Sequence, residues 1–306
     1  MRYLKPIALS TVLGLTLLSS VILQGQQRGE TLAWAPKPVK PNGWVGPNKP
    51  HWKLPELLAS HKGQASWKET VVSDNLLQAD YVQMAPGTKT PRQFRPDNRV
   101  WWIVQDGQVR FTIQGQEPIL ASKGFLVQVP YRNIFSIEVV GDKPALFLEV
   151  NAADAQTLYP ADETPVPVPG MEFVKVRISG KGNYDERNKP FVDFNALVAS
   201  NGRAGSFVVD DRAFANIIRG MPQADNPKDK GHFHEVSAEF WFVLEGQIEY
   251  KIEGLPTFVA NQGDVVYVPK QTWHRAHHAG TGYSTRVAMN GYPDLLHDYQ
   301  PNEELR

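Results

Sequence analysis

The chain contains no cysteine among its 306 residues. This absence excludes disulfide bonds, thiolate metal ligands and a lipid anchor attached through cysteine. An excess of one charge is missing as well, because 32 Lys and Arg residues balance 32 Asp and Glu residues, and the basic residues are scattered along the chain. The sequence therefore predicts no nucleic-acid partner, since nucleic-acid-binding proteins concentrate basic side chains on one surface.

Long hydrophobic runs are also scarce, and the one that occurs lies at the N-terminus. Arg2 and Lys5 precede the apolar run PIALSTVLGLTLLSSVIL, an order that is typical of an export signal. We predict that residues 1–25 form a signal peptide, which makes the protein periplasmic or secreted. The alternative is an uncleaved N-terminal anchor, because the run is nearly long enough to span a bilayer. In both cases this segment is the only predicted contact with a membrane.

The rest of the chain carries an internal repeat with an offset of about 139 residues. The matching pairs include Gly107 and Gly246, Gly124 and Gly263, Pro130 and Pro269, and Asn151 and Asn290. A repeat of this length indicates duplicated domains. We predict an extended arm over residues 26–50, a first domain over 51–152, a linker over 153–170, a second domain over 171–295 and a tail over 296–306.

Each copy of the repeat is predicted to be all-β with a short helix. Runs such as RVWWIVQ and ALFLEV in the first copy, and EFWFVLE and STRVAM in the second, are short and rich in β-branched or aromatic residues. Gly or Pro punctuates them, as is typical of strands joined by turns. The segments LPELLAS and FNALVAS are predicted to form short helices that lead into the two copies.

The segment from Gly231 to His274 holds the candidate chemistry. His232 and His234 are two residues apart, so on a strand both side chains point to the same face. Glu239 opens the apolar strand EFWFVLE after a short turn, and His274 follows the run GDVVYVPKQTW. Imidazole and carboxylate groups together suit a first-row transition metal. We therefore predict a metal site with His232, His234, Glu239 and His274 as its ligands.

This segment resembles the first sequence motif of the cupin family, G-x5-H-x-H-x4-E-x6-G. The motif is met at His232, His234, Glu239 and Gly246, and Asn226 stands where its opening glycine is usual. The departure at Asn226 concerns a turn position and leaves the ligands in place.

The second cupin motif, G-x5-P-x-G-x2-H-x3-N, is met at Gly263, Pro269 and His274. Gln271 replaces its middle glycine and His278 its final asparagine. The resemblance implies the jelly-roll barrel, or double-stranded β-helix, of that family. The expected fold is thus all-β, with two tandem cupin barrels and short helices. The resemblance also implies one divalent transition metal ion, and the sequence does not distinguish Fe, Mn, Ni, Cu and Zn.

The first domain lacks this ligand set. The residues that align with His232, His234, Glu239 and His274 are, in that order, Gln93, Arg95, Val100 and Phe135. Val and Phe side chains offer no lone pair, and an arginine cation repels a metal ion. We predict a metal-free first domain that acts as a scaffold for the second. The alternative is that Gln93 and Arg95 bind an anion or a sugar where the metal would otherwise lie.

Three further residues are candidates for binding a substrate. Trp241 shares the strand parity of Glu239, so its ring can face the same cavity and stack on a substrate. Arg219 and Arg286 lie in strand-like segments and can pair with a carboxylate. The sequence assigns no catalytic residue.

The resemblance implies a metal-dependent enzyme that acts on a small organic molecule. Dioxygenase-like chemistry is favoured, and decarboxylase, isomerase and lyase chemistry are alternatives. The rival function is a non-catalytic protein that binds a sugar or an organic acid, with the metal as a structural or ligand-orienting ion. The choice rests on analogy at the level of the fold, which hosts many functions. Association of the chain with copies of itself is left open.

Overall fold

The computed structural model describes residues 33–202, 204–224 and 231–291, together with the backbone of residues 298–299. The predicted export segment, Asn226, the start of the predicted arm and most of the predicted tail lie outside these described residues. The described residues from Pro36 onward form one compact unit. Within the described part of the chain, no helix combines the length and the apolar composition that a membrane crossing requires.

The described residues form short strands and two short helices. The first half contains β1 (His51–Trp52), α1 (Leu54–Ser60), β2 (Trp67–Ser73), β3 (Leu77–Met84), β4 (Val100–Asp106), β5 (Gln108–Ile113), β6 (Ile119–Ser122), β7 (Phe125–Val129), β8 (Phe135–Val139) and β9 (Ala145–Ala152). The second half contains β10 (Phe191–Asp193), α2 (Phe194–Ala199), β11 (Ser206–Val209), β12 (Phe214–Gly220), β13 (Phe233–His234), β14 (Glu239–Glu245), β15 (Gln247–Ile252), β16 (Phe258–Asn261), β17 (Val265–Val268), β18 (His274–Ala279), β19 (Ser284–Asn290) and β20 (Asp298–Tyr299). The predicted all-β fold and both predicted helices are confirmed.

The strands form two sheet systems with the same topology. In the first, a six-stranded sheet of order β10-β7-β4-β9-β3-β2 covers a three-stranded sheet of order β6-β5-β8. In the second, a six-stranded sheet of order β1-β17-β14-β19-β12-β11 covers a three-stranded sheet of order β16-β15-β18. Each system encloses an apolar core of its own. We call them the first barrel and the second barrel.

The outer faces of the two six-stranded sheets pack against each other in a third apolar core. Tyr81 of the first barrel is buried there, with its ring centroid 6.3 Å from that of Phe242, and its hydroxyl donates a hydrogen bond to the Gly263 carbonyl. Because side chains alternate along a strand, β14 serves two cores at once. Phe242 faces the core between the barrels, whereas Trp241 faces the inside of the second barrel.

A short strand crosses from each half of the sequence into the sheet of the other. Strand β1 pairs with β17 of the second barrel, and β10 pairs with β7 of the first. The buried carboxylate of Asp264 fixes the first exchange. Its Oδ2 lies 2.8 Å from His51 Nε2, and its Oδ1 accepts a hydrogen bond of 2.9 Å from Leu54 N. The barrels are thereby tied together by backbone pairing as well as by packing.

Residues 36–50 of the predicted arm form neither helix nor strand. They are held to the second barrel by side-chain hydrogen bonds. Trp44 Nε1 donates to the Tyr267 carbonyl at 3.1 Å, and Lys37 Nζ donates to Glu253 Oε1 at 2.8 Å.

Candidate metal centre

Four side chains from three segments converge inside the second barrel. His232 and His234 lie at β13, Glu239 begins β14, and His274 begins β18. His232 and His274 form an antiparallel bridge, with backbone N–O distances of 3.0 and 2.9 Å, which sets their segments side by side. The ligand atoms of all four residues lie within 4.8 Å of one another. The predicted set of four is thus brought together by the fold.

The carboxylate oxygen Glu239 Oε2 lies at the middle of the cluster. It is 2.8 Å from His234 Nε2, 3.0 Å from His274 Nε2 and 3.8 Å from His232 Nε2. The side chains of His234, Glu239 and His274 are less than a tenth exposed, whereas that of His232 is 29% exposed. His232 is therefore the solvent-facing member of the cluster.

The electrostatics of the cluster keep Glu239 ionised. Burial alone would raise the pKa of its carboxyl group, but hydrogen bonds from the three histidines and the charge of His234 hold that pKa well below its ordinary value. Burial also lowers the pKa of His274, against the opposing influence of Glu239. A neutral imidazole beside an ionised carboxylate is the protonation state that a metal ion requires of its ligands.

A backbone carbonyl fixes which nitrogen of His274 is available. His274 Nδ1 lies 2.9 Å from the Thr272 carbonyl oxygen. A carbonyl oxygen only accepts, so Nδ1 carries a proton, and Nε2, which points at Glu239, is the nitrogen available to a metal ion. Such a partner also holds the ring in one orientation, as is usual for ligating histidines.

The backbone conformation of the turns in the two motifs explains why these motifs require glycine. Gly246 and Gly263 have φ of 67° and 88°, and a Cβ atom at either would lie 2.6 Å or less from a neighbouring atom. Gln271, which replaces the middle glycine of the second motif, adopts the same left-handed region with φ of 61°. Its backbone N–H donates a 2.7 Å hydrogen bond to the His234 carbonyl, which ties the turn before His274 to the strand of His234.

The donor set fits a divalent transition metal. For metal–nitrogen bonds of about 2.0–2.1 Å, neighbouring ligand atoms lie roughly 3–4 Å apart. The distances of 2.8, 3.0 and 3.8 Å from Glu239 Oε2 to the imidazole nitrogens agree with that spacing. Four protein ligands leave a position open on a metal that takes five or six.

The corresponding place in the first barrel is filled by paired side chains. Arg95 is buried, and its guanidinium donates to Asn151 at 2.9 Å and to Thr157 at 2.8 Å. It lies 5.7 Å from the ring centroid of Phe135, and its Nη1 reaches Gln93 Oε1 at 3.3 Å. The guanidinium donors of Arg95 are thus paired with side chains of the protein, as expected if the first barrel acts as a scaffold.

Trp241 and Arg286 lie on the inner face of the second barrel, as the candidate site requires. The Trp241 ring centroid is 5.3 Å from that of His274. Arg286 shares its face, because β19 pairs with β14 so that Ala288 stands opposite Trp241 and Arg286 opposite Val243.

Arg219 does not join this group, and its candidacy is corrected here. Its position lies opposite Thr285, one residue out of phase with Arg286, so its side chain emerges on the other face of the sheet. There its guanidinium contacts Glu245 Oε2 at 3.0 Å and lies 3.8 Å from the ring centroid of Tyr283. Its positive charge is used in these contacts.

Sequence reasoning missed two polar residues on the inner face, Tyr250 and Asn290. Tyr250 is fully buried, with its ring centroid 5.2 Å from that of Trp241. Asn290 stands opposite Glu239 in the pairing of β14 with β19. The repeat could have identified Tyr250, because the aligned residue of the first barrel is Phe111, which lacks the hydroxyl group.

Comparisons with known proteins agree with this fold. Residues 222–289 match the family model of the cupin domain. Salicylate 1,2-dioxygenase from Pseudoaminobacter salicylatoxidans, solved as a mutant in complex with gentisate, is similar over 79% of this chain and 81% of its own, at 13% identity and a TM-score of 0.59. A cupin 2 conserved barrel domain protein from Leptotrichia buccalis is similar over 78% of this chain and 94% of its own, at 12% identity and a TM-score of 0.51. No curated protein sequence matches the chain significantly.

At these identities the solved structures show the fold alone. The second barrel contains the cupin domain, and the chain has the all-β cupin fold with a His/Glu cluster that can hold a metal ion.

Proposed function

We propose that the protein is a metal-dependent enzyme with dioxygenase-like chemistry on a small organic molecule. One divalent transition metal ion is held by His232, His234, Glu239 and His274. The observation that carries this proposal is the convergence of three imidazoles and one ionised carboxylate, with their ligand atoms within 4.8 Å, at a point where only His232 is well exposed.

The chain's own residues prepare this site for chemistry. A divalent transition metal ion bound there supplies Lewis acidity and open coordination positions. Glu239 offsets part of the ion's charge, and the Thr272 carbonyl holds His274 in the ligating tautomer. Trp241 closes the wall beside His274 and excludes water from that side. His232 marks the side from which a substrate can enter.

The similarity to salicylate 1,2-dioxygenase supports the choice of chemistry. That enzyme shares the fold over most of both chains, and its structure contains gentisate, a small organic molecule. This analogy at the level of the fold is what favours oxygen-dependent cleavage over the decarboxylase, isomerase and lyase alternatives.

The test is turnover by metal-loaded protein. Oxygen uptake is recorded with small phenols, hydroxy acids and oxo acids for the wild type and for His274→Ala. We expect uptake with at least one substrate for the wild type and none for the variant. Equal uptake by both proteins would show that the cluster is not the site of reaction.

A non-catalytic binding protein is the second candidate function. It is favoured by the aromatic and amide lining beside the cluster, where Trp241, Tyr250 and Asn290 supply no general base. In this case a small molecule binds to the metal-loaded protein and is recovered unchanged. Ligand recovery after prolonged incubation distinguishes this function from catalysis.

We also propose two cupin domains in one exported chain. The shared strand order of the two barrels supports the duplication, and the basic and apolar pattern of residues 1–25 supports export. Mass spectrometry of protein recovered from the periplasm or the medium tests the second point. An intact N-terminus on a membrane-associated product would favour the anchor instead.

A further inference from the structure

Three side chains on the inner face of the second barrel carry buried hydrogen-bond donors without partners. Among the described residues, no acceptor is within reach of Arg286 Nε and Nη1, Asn290 Nδ2 or the Tyr250 hydroxyl. Buried polar groups are nearly always paired, and an unpaired buried charge is costlier still. Several such groups in one place indicate a ligand that supplies the missing acceptors.

The strand register places these donors in one tract that starts at the metal cluster. Asn290 stands opposite Glu239, and Arg286 stands opposite Val243, four residues further along β14. The Tyr250 ring packs on Trp241, with 5.2 Å between their centroids. Arg286 is close enough for the charges of Tyr250 and Glu239 to act on its pKa, which burial lowers. Asn290 therefore adjoins the cluster, and Arg286 lies further along the same face.

The first barrel shows that the fold does not need a polar residue at the positions of Tyr250 and Arg286. At the positions that match Tyr250 and Arg286 it has Phe111 and Phe147, which are buried in its apolar core. The register is the same, since Phe147 stands opposite Val104 as Arg286 stands opposite Val243. A barrel of this topology thus closes with phenylalanine at both places.

The chemistry of the donors defines the ligand. An arginine side chain donates hydrogen bonds and accepts none, and two of its N–H groups match the two oxygens of a carboxylate. Burial raises the pKa of Tyr250, so its phenol keeps its proton and donates too. One negative charge balances Arg286, whereas a phosphate dianion would leave an excess negative charge near Glu239.

We propose that Arg286 and Tyr250 bind the carboxylate of a small organic acid whose other end reaches the metal cluster beside Asn290. The proposal rests on the proposed function and names its substrate class. The carboxylate and the metal-facing group belong to different ends of the molecule, because Arg286 and Asn290 are four residues apart on β19.

The experiment is calorimetric titration of metal-loaded protein with benzoate, benzamide and phenyl phosphate, and with pyruvate and malonate as smaller acids. We expect at least one acid to bind the wild type, and its affinity to fall by at least 30-fold in Arg286→Met and by about 3-fold to 10-fold in Tyr250→Phe. Benzamide should not bind. Arg219→Met is the matched control, because Arg219 lies on β12 with its side chain on the other face of the sheet from Arg286. This variant should bind the acid like the wild type.

Urea unfolding and metal content separate the possible outcomes. Arg286→Met should raise the urea midpoint of the ligand-free protein, because it removes two buried charged donors that lack partners, and should keep the metal. A lowered midpoint with unchanged acid binding would identify a structural arginine and overturn the proposal. Binding of phenyl phosphate in preference to all acids, or binding of no acid by the wild type, would overturn it as well. Absence of metal from the wild type would instead refute the proposed function, and acid binding that still depends on Arg286 would leave the carboxylate site standing.

Discussion

Glu239 is a carboxylate buried among three imidazoles, and its surroundings show how the site stabilises a buried charge. Burying a charge is unfavourable unless partners compensate for it. Here the compensation comes from hydrogen bonds of 2.8 and 3.0 Å to His234 and His274. A divalent ion would replace those shared protons with stronger bonds to the same atoms.

At this scale we predict that Glu239→Gln retains more metal than His234→Ala. The amide oxygen remains a neutral donor, whereas the alanine removes a donor atom altogether. Metal content after dialysis against metal-free buffer measures the difference. The control is Glu245→Gln, which alters a carboxylate that contacts Arg219 outside the cluster and should keep all its metal. More complete metal loss from Glu239→Gln than from His234→Ala would refute this ranking.

At the scale of elements, the strands show what the sequence could and could not predict. The H-x-H spacing fixed the shared face of His232 and His234, and the turn glycines fixed where β14 ends. The strand EFWFVLE shows no alternation of polar and apolar residues, because Trp241 and Phe242 face two different apolar cores. The sequence could not assign a face to Arg219, because only its pairing with Thr285 reveals its parity.

The sequence could not predict that β1 and β10 each join the sheet of the other barrel, for a related reason. Strands of two and three residues carry no period, so nothing in His51–Trp52 distinguishes a strand from a loop. Their position depends on long-range partners. For β1 the decisive partner is Asp264, more than two hundred residues away along the chain.

For this element we predict that Asp264→Ala destabilises the protein. The variant leaves the buried Leu54 amide unsatisfied, and a lost partner of this kind costs about 1–3 kcal/mol of the free energy of unfolding. Urea unfolding measures the change. Arg110→Ala removes half of an exposed ion pair with Glu138 and should change stability by no more than ~1 kcal/mol. Equal effects of the two substitutions would show that Asp264 does not hold β1.

At the scale of the whole molecule, the two barrels perform different tasks on one topology. The first barrel closes around Trp102, Phe111 and Phe135, with ring centroids 5.1 Å apart in both contacts of the tryptophan. It reaches this packing without a metal-ligand set. The second barrel has the same strand order and an apolar core of its own. The ion is therefore expected to serve chemistry or binding and not the fold.

This division of tasks predicts the effect of a chelator. Metal removal should abolish turnover or ligand binding while the β-rich circular dichroism spectrum stays nearly unchanged, because each barrel is closed by its apolar core. Activity and circular dichroism are followed in the same titration, and restored metal should restore activity. Simultaneous loss of both signals would show that the ion is structural.

The most direct test of the central claim, a single metal in the second barrel, is elemental analysis of three purified proteins. These are the wild type, His274→Ala, which removes a ligand, and Gln93→Ala, which alters the matching place in the first barrel. We predict one transition-metal ion per chain for the wild type and for Gln93→Ala, and none for His274→Ala. Two ions per chain in the wild type, or an unchanged content in His274→Ala, would contradict the account.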